Sequence, residues 1–118
     1  MMSFKQSFNF DQRKQESSKI LKKHSGKVPV IAEMAKNAKM DCDVRHKFLV
    51  AEDMTMGQFL AVLRKKVKLT ENEALFVYVN DNTLVISSMT IASIYNDYKD
   101  QDGFLYLTFC PENTFGTE

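Results

Sequence analysis

Thr55-Met56-Gly57-Gln58-Phe59-Leu60-Ala61-Val62-Leu63-Arg64-Lys65-Lys66-Val67 is the stretch whose reading decides the fold. It opens with Thr-x-x-Gln, a capping box. The Thr55 hydroxyl can accept from the amide three residues on, and Gln58 can reach back to the Thr55 amide. Met54 before it and Phe59 within it suit a hydrophobic staple. Met56, Phe59, Leu60, Leu63 and Val67 recur at helical spacing. Arg64, Lys65, Lys66 and Lys68 crowd its end, where the helix dipole favours cations.

On either side of this helix the periodicity changes to that of strands. Lys27-Val28-Pro29-Val30-Ile31-Ala32-Glu33 precedes it, with Pro29 expected at an edge, a strand start or a bulge because it lacks an N–H. Lys47-Phe48-Leu49-Val50 is a second strand, and His46 falls in the charged loop before it. Beyond the helix, Ala74-Leu75-Phe76-Val77-Tyr78-Val79 reads as a buried strand ended by the turn cluster Asn80-Asp81-Asn82. Thr83-Leu84-Val85-Ile86 is a short strand candidate. Thr90 caps a short helix carrying Ile91, Ile94, Tyr95 and Tyr98 on one face, and Asp102-Gly103 turns into a last strand, residues 104–109, apolar enough to be central.

The N-terminal segment is helical. Residues 3–8 form one turn with Ser3 as cap and Phe4 and Phe8 on one side. Residues 11–23 form a second helix with Asp11 as N-cap. Its exposed face holds Arg13, Lys14, Lys19, Lys22 and Lys23, and Ile20 is its clearest inward residue. Ser25-Gly26 breaks it. The order of elements predicts an α+β fold: a four-stranded mixed sheet on one long helix, the β-grasp pattern, with two helices added in front. Residues 1–26 are the helical extension, 27–110 the core and 111–118 a polar tail.

Composition sets the function classes aside in turn. A chain of 118 residues suffices for one domain. No run approaches the ~20 apolar residues of a membrane span, and Met1-Met2-Ser3-Phe4-Lys5 does not read as a signal peptide. Cytoplasmic localisation is expected. Cys42 and Cys110 are read as free thiols. Residues 1–70 hold 15 Lys/Arg against 7 Asp/Glu, whereas residues 71–118 hold 1 Lys against 8 Asp/Glu. The basic half invites acidic partners: peptides, lipid heads, RNA or acidic protein tails. There is no nucleotide loop, metal-ligand spacing or catalytic constellation, and neither His24 nor His46 pairs in sequence with a cysteine as a nucleophile would require. No catalytic residue, metal or bound cofactor is expected. Gly116 stands near the end of the tail, and a glycine there lets a carboxylate enter narrow enzyme channels.

Four stretches carry a resemblance: Lys27-Val28-Pro29-Val30-Ile31; Lys47-Phe48-Leu49-Val50 through Thr55-Met56-Gly57-Gln58-Phe59; Ala74-Leu75-Phe76 with Val79-Asn80; and Asp102-Gly103-Phe104-Leu105-Tyr106 leading to Phe115-Gly116. Their order and spacing resemble the autophagy ubiquitin-like modifiers of the GABARAP and microtubule-associated light chain type, from about Phe10 to Gly116. The resemblance implies that a cysteine protease cuts after Gly116. Activating and conjugating enzymes then pass the glycine to phosphatidylethanolamine on the autophagosome membrane. It implies a docking platform for aromatic-x-x-aliphatic peptides, which add a strand to a sheet edge. Carried over by position, Glu16, Ile20, Pro29, Lys47, Leu49 and Phe104 line an aromatic pocket. Phe48, Val50, Met54, Phe59, Val62 and Leu63 line an aliphatic one, and Arg45, Lys47 and Lys66 attract acidic flanks. Tubulin is a further candidate partner; DNA is not expected.

The sequence departs from the family in places. Ala51 stands where a proline is usual, and His24 replaces a tyrosine. Residues 84–90 replace a proline-containing loop, and Asp41 to His46 is unusual. Two other readings stay open: a ubiquitin-like peptide-binding adaptor that never conjugates, and a cytoskeleton- or RNA-binding protein acting through the basic helix.

Overall fold

The computed structural model describes residues 3–35, 45–67, 74–80 and 83–111. Along the chain these are α1 (Phe4–Ser7), α2 (Phe10–Lys23), β1 (Lys27–Met34), β2 (Arg45–Ala51), α3 (Met56–Val67), β3 (Leu75–Val79), β4 (Thr83–Leu84), α4 (Ile91–Tyr98) and β5 (Leu105–Pro111). The sheet order is β2-β1-β5-β3-β4. β1 and β5 run parallel at its centre, and the other pairings are antiparallel. The mixed sheet expected from the sequence thus gains a fifth strand, because β4 pairs two residues with the end of β3. Pro29 is the third residue of β1, ahead of the first β1–β5 pair at Val30↔Leu105, so its missing N–H costs no bond to β5.

Local signals explain most of the helix ends. The Gln58 amide donates to Thr55 Oγ1 at 3.2 Å and the Thr55 amide to Gln58 Oε1 at 3.0 Å, the expected capping box of α3. The N-cap of α2 is Asn9, not Asp11. Asn9 Oδ1 accepts from the Gln12 amide at 2.8 Å while Gln12 Oε1 accepts from the Asn9 amide at 2.9 Å. That reciprocal pair outcompetes a lone aspartate, and Asp11 falls in the first turn, where its charge still suits the dipole. His46 is likewise not in a loop. It belongs to β2 and pairs in register with Ala32.

The N-termini of α3 and α4 cap each other through the main chain. The Met56 and Gly57 amides donate to Met89 O and Ser87 O at 2.8 and 2.9 Å. The Ile91 and Ala92 amides donate to Met54 O and Glu52 O at 2.8 and 2.9 Å. First-turn amides have no partner within their own helix, so each helix here borrows carbonyls from the segment leading into the other. Gly57 permits the close approach: a Cβ there would lie 3.3 Å from Ser87.

Strand alternation divides the core in two. Val28, Val30 and Ala32 of β1 and Leu105, Leu107 and Phe109 of β5 face α3 and α4, joining Met56, Phe59, Leu63, Ile91 and Ile94 in the main cluster. Ile31 points to the opposite face. With Phe4 and Phe104 it forms a second cluster beneath α1 and α2, against which Ile20 and Tyr106 pack.

A buried carboxylate ties the N-terminal helices to the sheet. Asp102 is fully buried at the turn before β5. Its Oδ2 accepts from Arg13 Nη1 and from the Tyr106 hydroxyl, both at 2.6 Å, and its Oδ1 accepts from the Phe104 amide at 2.9 Å. The Ser17 hydroxyl donates to Asp102 O at 2.5 Å. Ser17, not Ile20, is therefore the most deeply buried residue of α2. Gly103 (φ +92) lets the turn come this close, since a Cβ there would sit 2.3 Å from Ser17 Oγ. Burial and the hydrogen bond to Asp102 push the Tyr106 phenol well above its ordinary 10.0, and burial also raises that of Tyr95, whose hydroxyl donates to Gly103 O at 2.7 Å. For Asp100, burial alone would raise the carboxyl, but hydrogen bonds from Lys5 and the Asp102 amide outweigh it and hold it below the usual range.

Two outcomes test this junction. Gly103→Ala combines left-handed strain with a clash against Ser17 and is expected to destabilise the fold by roughly 2–4 kcal/mol in urea unfolding. A group whose folded pKa is raised contributes stability that is present below its unfolded pKa and lost as the pH rises above it. Stability should therefore fall above about pH 10 as Tyr95 and Tyr106 ionise only in the unfolded chain. Urea midpoints on either side of that pH check this, and Tyr106→Phe should flatten the fall.

Candidate functional site

The site grows from β2, which ends the sheet on one side. No described strand pairs with its outer edge, so its alternation presents two different surfaces there. Register fixes which residues share a face. Leu49 lies opposite Pro29 and Lys47 opposite Ile31; Phe48 lies opposite Val30 and Val50 opposite Val28. Since Ile31 belongs to the cluster under α1 and α2 while Val28 and Val30 belong to the main core, Lys47 and Leu49 face the N-terminal helices. Phe48 and Val50 face α3.

On the first face, Lys47 Nζ donates to Glu16 Oε2, an ion pair that joins β2 to α2. Both side chains are substantially exposed, so the pair adds little to stability. Leu49, opposite Pro29, stays 41% exposed. Ile20 packs against the Ile31–Phe104 cluster. Glu16, Ile20, Pro29, Lys47 and Leu49 thus lie on the side of the sheet that α2 covers, the side of the Ile31–Phe104 cluster. Phe104 is wholly buried within that cluster and exposes no surface of its own.

On the second face, the Phe48 ring meets Phe59 edge-on, with centroids 5.1 Å apart and planes at 85°. Met54 packs against the same main cluster, and Val50, Phe59 and Leu63 are buried in it. These five residues form one apolar wall between β2 and α3. Val62 stands apart. It is 43% exposed on the outer face of α3, where it lines a shallow depression of about 360 Å³ with Ala61, Lys65 and Lys66. Lys66 therefore flanks Val62 on that outer face. Arg45 opens β2 opposite Glu33. The side chain of Arg45, Cys42 and the whole tail with Gly116 lie outside the described residues.

Two contributors escaped the sequence reading. Ile31 looked like any strand residue, yet it forms the middle of the cluster beneath α2. Phe4 was placed only on one side of a helical turn, and it proves to be a core residue, 5% exposed, with its ring 5.1 Å from that of Phe104. The Phe4–Phe8 spacing was the available signal; what those rings packed on was not.

A sheet with parallel central strands, a helix crossing between β2 and β3 and a short helix leading into β5 is the ubiquitin-like β-grasp, here preceded by two helices. Residues 12–116 match the family model described as autophagy protein Atg8, ubiquitin like. Autophagy-related protein 8 of Eremothecium gossypii is 42% identical over 118 residues, covering 100% of this chain and 98% of that protein. Autophagy-related protein 8e of Arabidopsis thaliana is 42% identical over 113 residues, covering 96% and 92%. The crystal structure of Trypanosoma brucei ATG8 superimposes with a TM-score of 0.90 at 44% identity, covering 98% of this chain and 99% of that one. The chain belongs to the Atg8 family of autophagy ubiquitin-like proteins.

Proposed function

We propose that this protein is an autophagy modifier cleaved after Gly116, joined through that glycine to phosphatidylethanolamine, and displayed on autophagosomal membranes to dock aromatic-x-x-aliphatic peptides. The observation that carries the docking half is the parity of β2. Its outer edge, which no described strand pairs, separates Glu16, Ile20, Pro29, Lys47 and Leu49 on one face from the Phe48–Val50–Met54–Phe59 wall on the other.

A peptide added along that edge alternates its side chains between the two faces. Residues three apart in an extended strand therefore point to opposite faces, roughly 10 Å apart along the chain. An aromatic followed three residues later by an aliphatic fits that arrangement: one anchor reaches the α2 side and the other the α3 side. A spacing of two or four would put both anchors on one face. Lys47 on the first face and Lys65 and Lys66 beyond the second supply positive charge for acidic residues flanking the motif, which raises the association rate more than the final affinity.

The conjugation half rests on family membership and on the family match running through residue 116. In this reading the protein is a substrate, handled in turn by a processing cysteine protease, an activating enzyme and a conjugating enzyme. Thr117-Glu118 leave, and the glycine carboxylate forms an amide with the lipid amine. The mature protein is cytoplasmic until that bond is made. The attached lipid carries two acyl chains, enough for stable anchoring where a single chain gives only reversible binding.

Intact mass of protein recovered from its own cells, separated into soluble and membrane fractions, tests the conjugation half. A soluble form lacking Thr117-Glu118 and a membrane form carrying phosphatidylethanolamine are expected; an uncut chain confined to the soluble fraction, starvation included, favours the non-conjugating adaptor. Gly116→Ala is expected to block both products while leaving thermal unfolding unchanged. For the docking half, Leu49→Ala should weaken a motif peptide by about tenfold in calorimetric titration, the scale of losing an aliphatic contact. Unchanged affinity in the folded variant would sink the placement of the aromatic pocket.

A further inference from the structure

The apolar matter behind the aromatic pocket does not all come from the ubiquitin-like core. Phe104, which the docking reading puts at the pocket's base, is fully buried and packed by Phe4, whose ring meets it at 5.1 Å and 69°. Ile31 and Tyr106 complete the cluster, and Ile20, a wall of the pocket itself, packs against the same group. One ring of this cluster therefore belongs to α1, a helix of four residues.

Polar contacts also tie α1 to the fold. Its Phe4 amide donates to Glu33 Oε2 at 2.8 Å. Lys5 Nζ donates to Asp100 Oδ1 at 2.8 Å and lies 4.6 Å from the centre of the Tyr106 ring. The Lys5–Asp100 pair is partly exposed, with the lysine side chain at 48%, so it contributes weakly.

From this arrangement we infer that Phe4 determines the specificity of the aromatic pocket, backing Phe104 and so setting how large an aromatic side chain the pocket admits. The inference rests on the docking reading above. Phe4 touches no docked peptide; it positions Phe104, which does. Truncating a buried ring leaves a void that its neighbours fill only in part. Phe8, also 5.1 Å from Phe4, lies on the solvent side, and Ile31 is fixed in the strand β1, so Phe104, ahead of β5, is the buried neighbour that retreats into that void. Its retreat deepens the pocket on the side open to Ile20, Pro29 and Leu49. An indole gains from that depth more than a phenyl ring does.

The test compares two motif peptides identical except for Phe or Trp at the aromatic position, titrated into the full chain and its variants by calorimetry. Phe4→Ala is expected to shift the ratio of the two affinities toward Trp by about tenfold, within the range that one lost group changes selection in an apolar pocket. Lys5→Ala removes the Asp100 ion pair and the contact with the Tyr106 ring while leaving both the Phe4 and Phe104 rings in place, and should shift the ratio in the same direction by about threefold. It decides the matter alone if Phe4→Ala does not fold. A merely stabilising role for Phe4 would weaken both peptides equally and leave the ratio unchanged, and that result, or a shift toward Phe, overturns the inference. If the unaltered protein binds neither peptide, the docking reading itself has failed and this inference falls with it. Tight binding with an unmoved ratio leaves the docking reading intact and removes only the role of Phe4.

Discussion

A single carboxylate fully removed from water fixes the relation between the helical extension and the sheet. Asp102 accepts from a guanidinium, a phenol and an amide, while its own carbonyl accepts from Ser17. A buried charge is tolerated only with this completeness of partners, and removing one partner typically costs about 3–5 kcal/mol by stranding the other. The arrangement therefore acts less as a source of net stability than as a specification. Arg13 and Ser17 stand four residues apart on α2, and both meet the same turn only at one rotation and one height of that helix. The turn in turn leads directly into β5, the strand between β1 and β3, so α2 is located against the middle of the sheet rather than its rim.

The peptide-docking surface inherits this placement. Glu16 and Ile20 lie on the same helix as the residues Asp102 holds. The distance between α2 and the edge strand β2 is set by that anchor, with the Glu16–Lys47 pair at the surface above it. On the opposite face no such device is needed. The α3 wall is held by the main core, where Met56, Phe59, Leu63 and Val67 are buried at helical spacing. The two sides of the proposed groove thus have different physical origins, one polar and directional, the other apolar and non-directional.

Much of this was legible in the chain because it is locally encoded. The Thr55–Gln58 box, the period-two strands around Pro29 and Leu49, the Thr90 cap and the Asp102-Gly103 turn each carry their signal within a few residues, and the order of elements then restricts the topology. What escaped depends on partners far apart in sequence. Asp102 reads as an ordinary turn residue until Arg13, 89 positions away, is brought beside it. Ser17 looks exposed on a basic helix for the same reason. Asp11 reads as the cap because an aspartate opening a basic helix is a strong local signal, whereas the reciprocal bonds between Asn9 and Gln12 put the cap two residues earlier. Along β2 the alternation was visible, but only the register with β1 assigns Leu49 to the side of α2 and Phe48 to that of α3. Val62, grouped with Phe59 and Leu63 by position, is the exposed member of that group, 43% open where the other two are buried.

The mutual capping of α3 and α4 bears on how this chain can diverge. The bonds that seat both helices run from amides to carbonyls, Met56 and Gly57 to Met89 and Ser87, Ile91 and Ala92 to Met54 and Glu52. Every residue type offers the same carbonyl, so these bonds constrain the path of the segment leading into α4 rather than its side chains; within it Val85 and Met89 are selected by packing on the main core, and Leu84 and Ile86 are not. Leu84 and Ile86 are accordingly 56% and 63% exposed. The segment's exposed side chains can therefore change while both helices keep their seats.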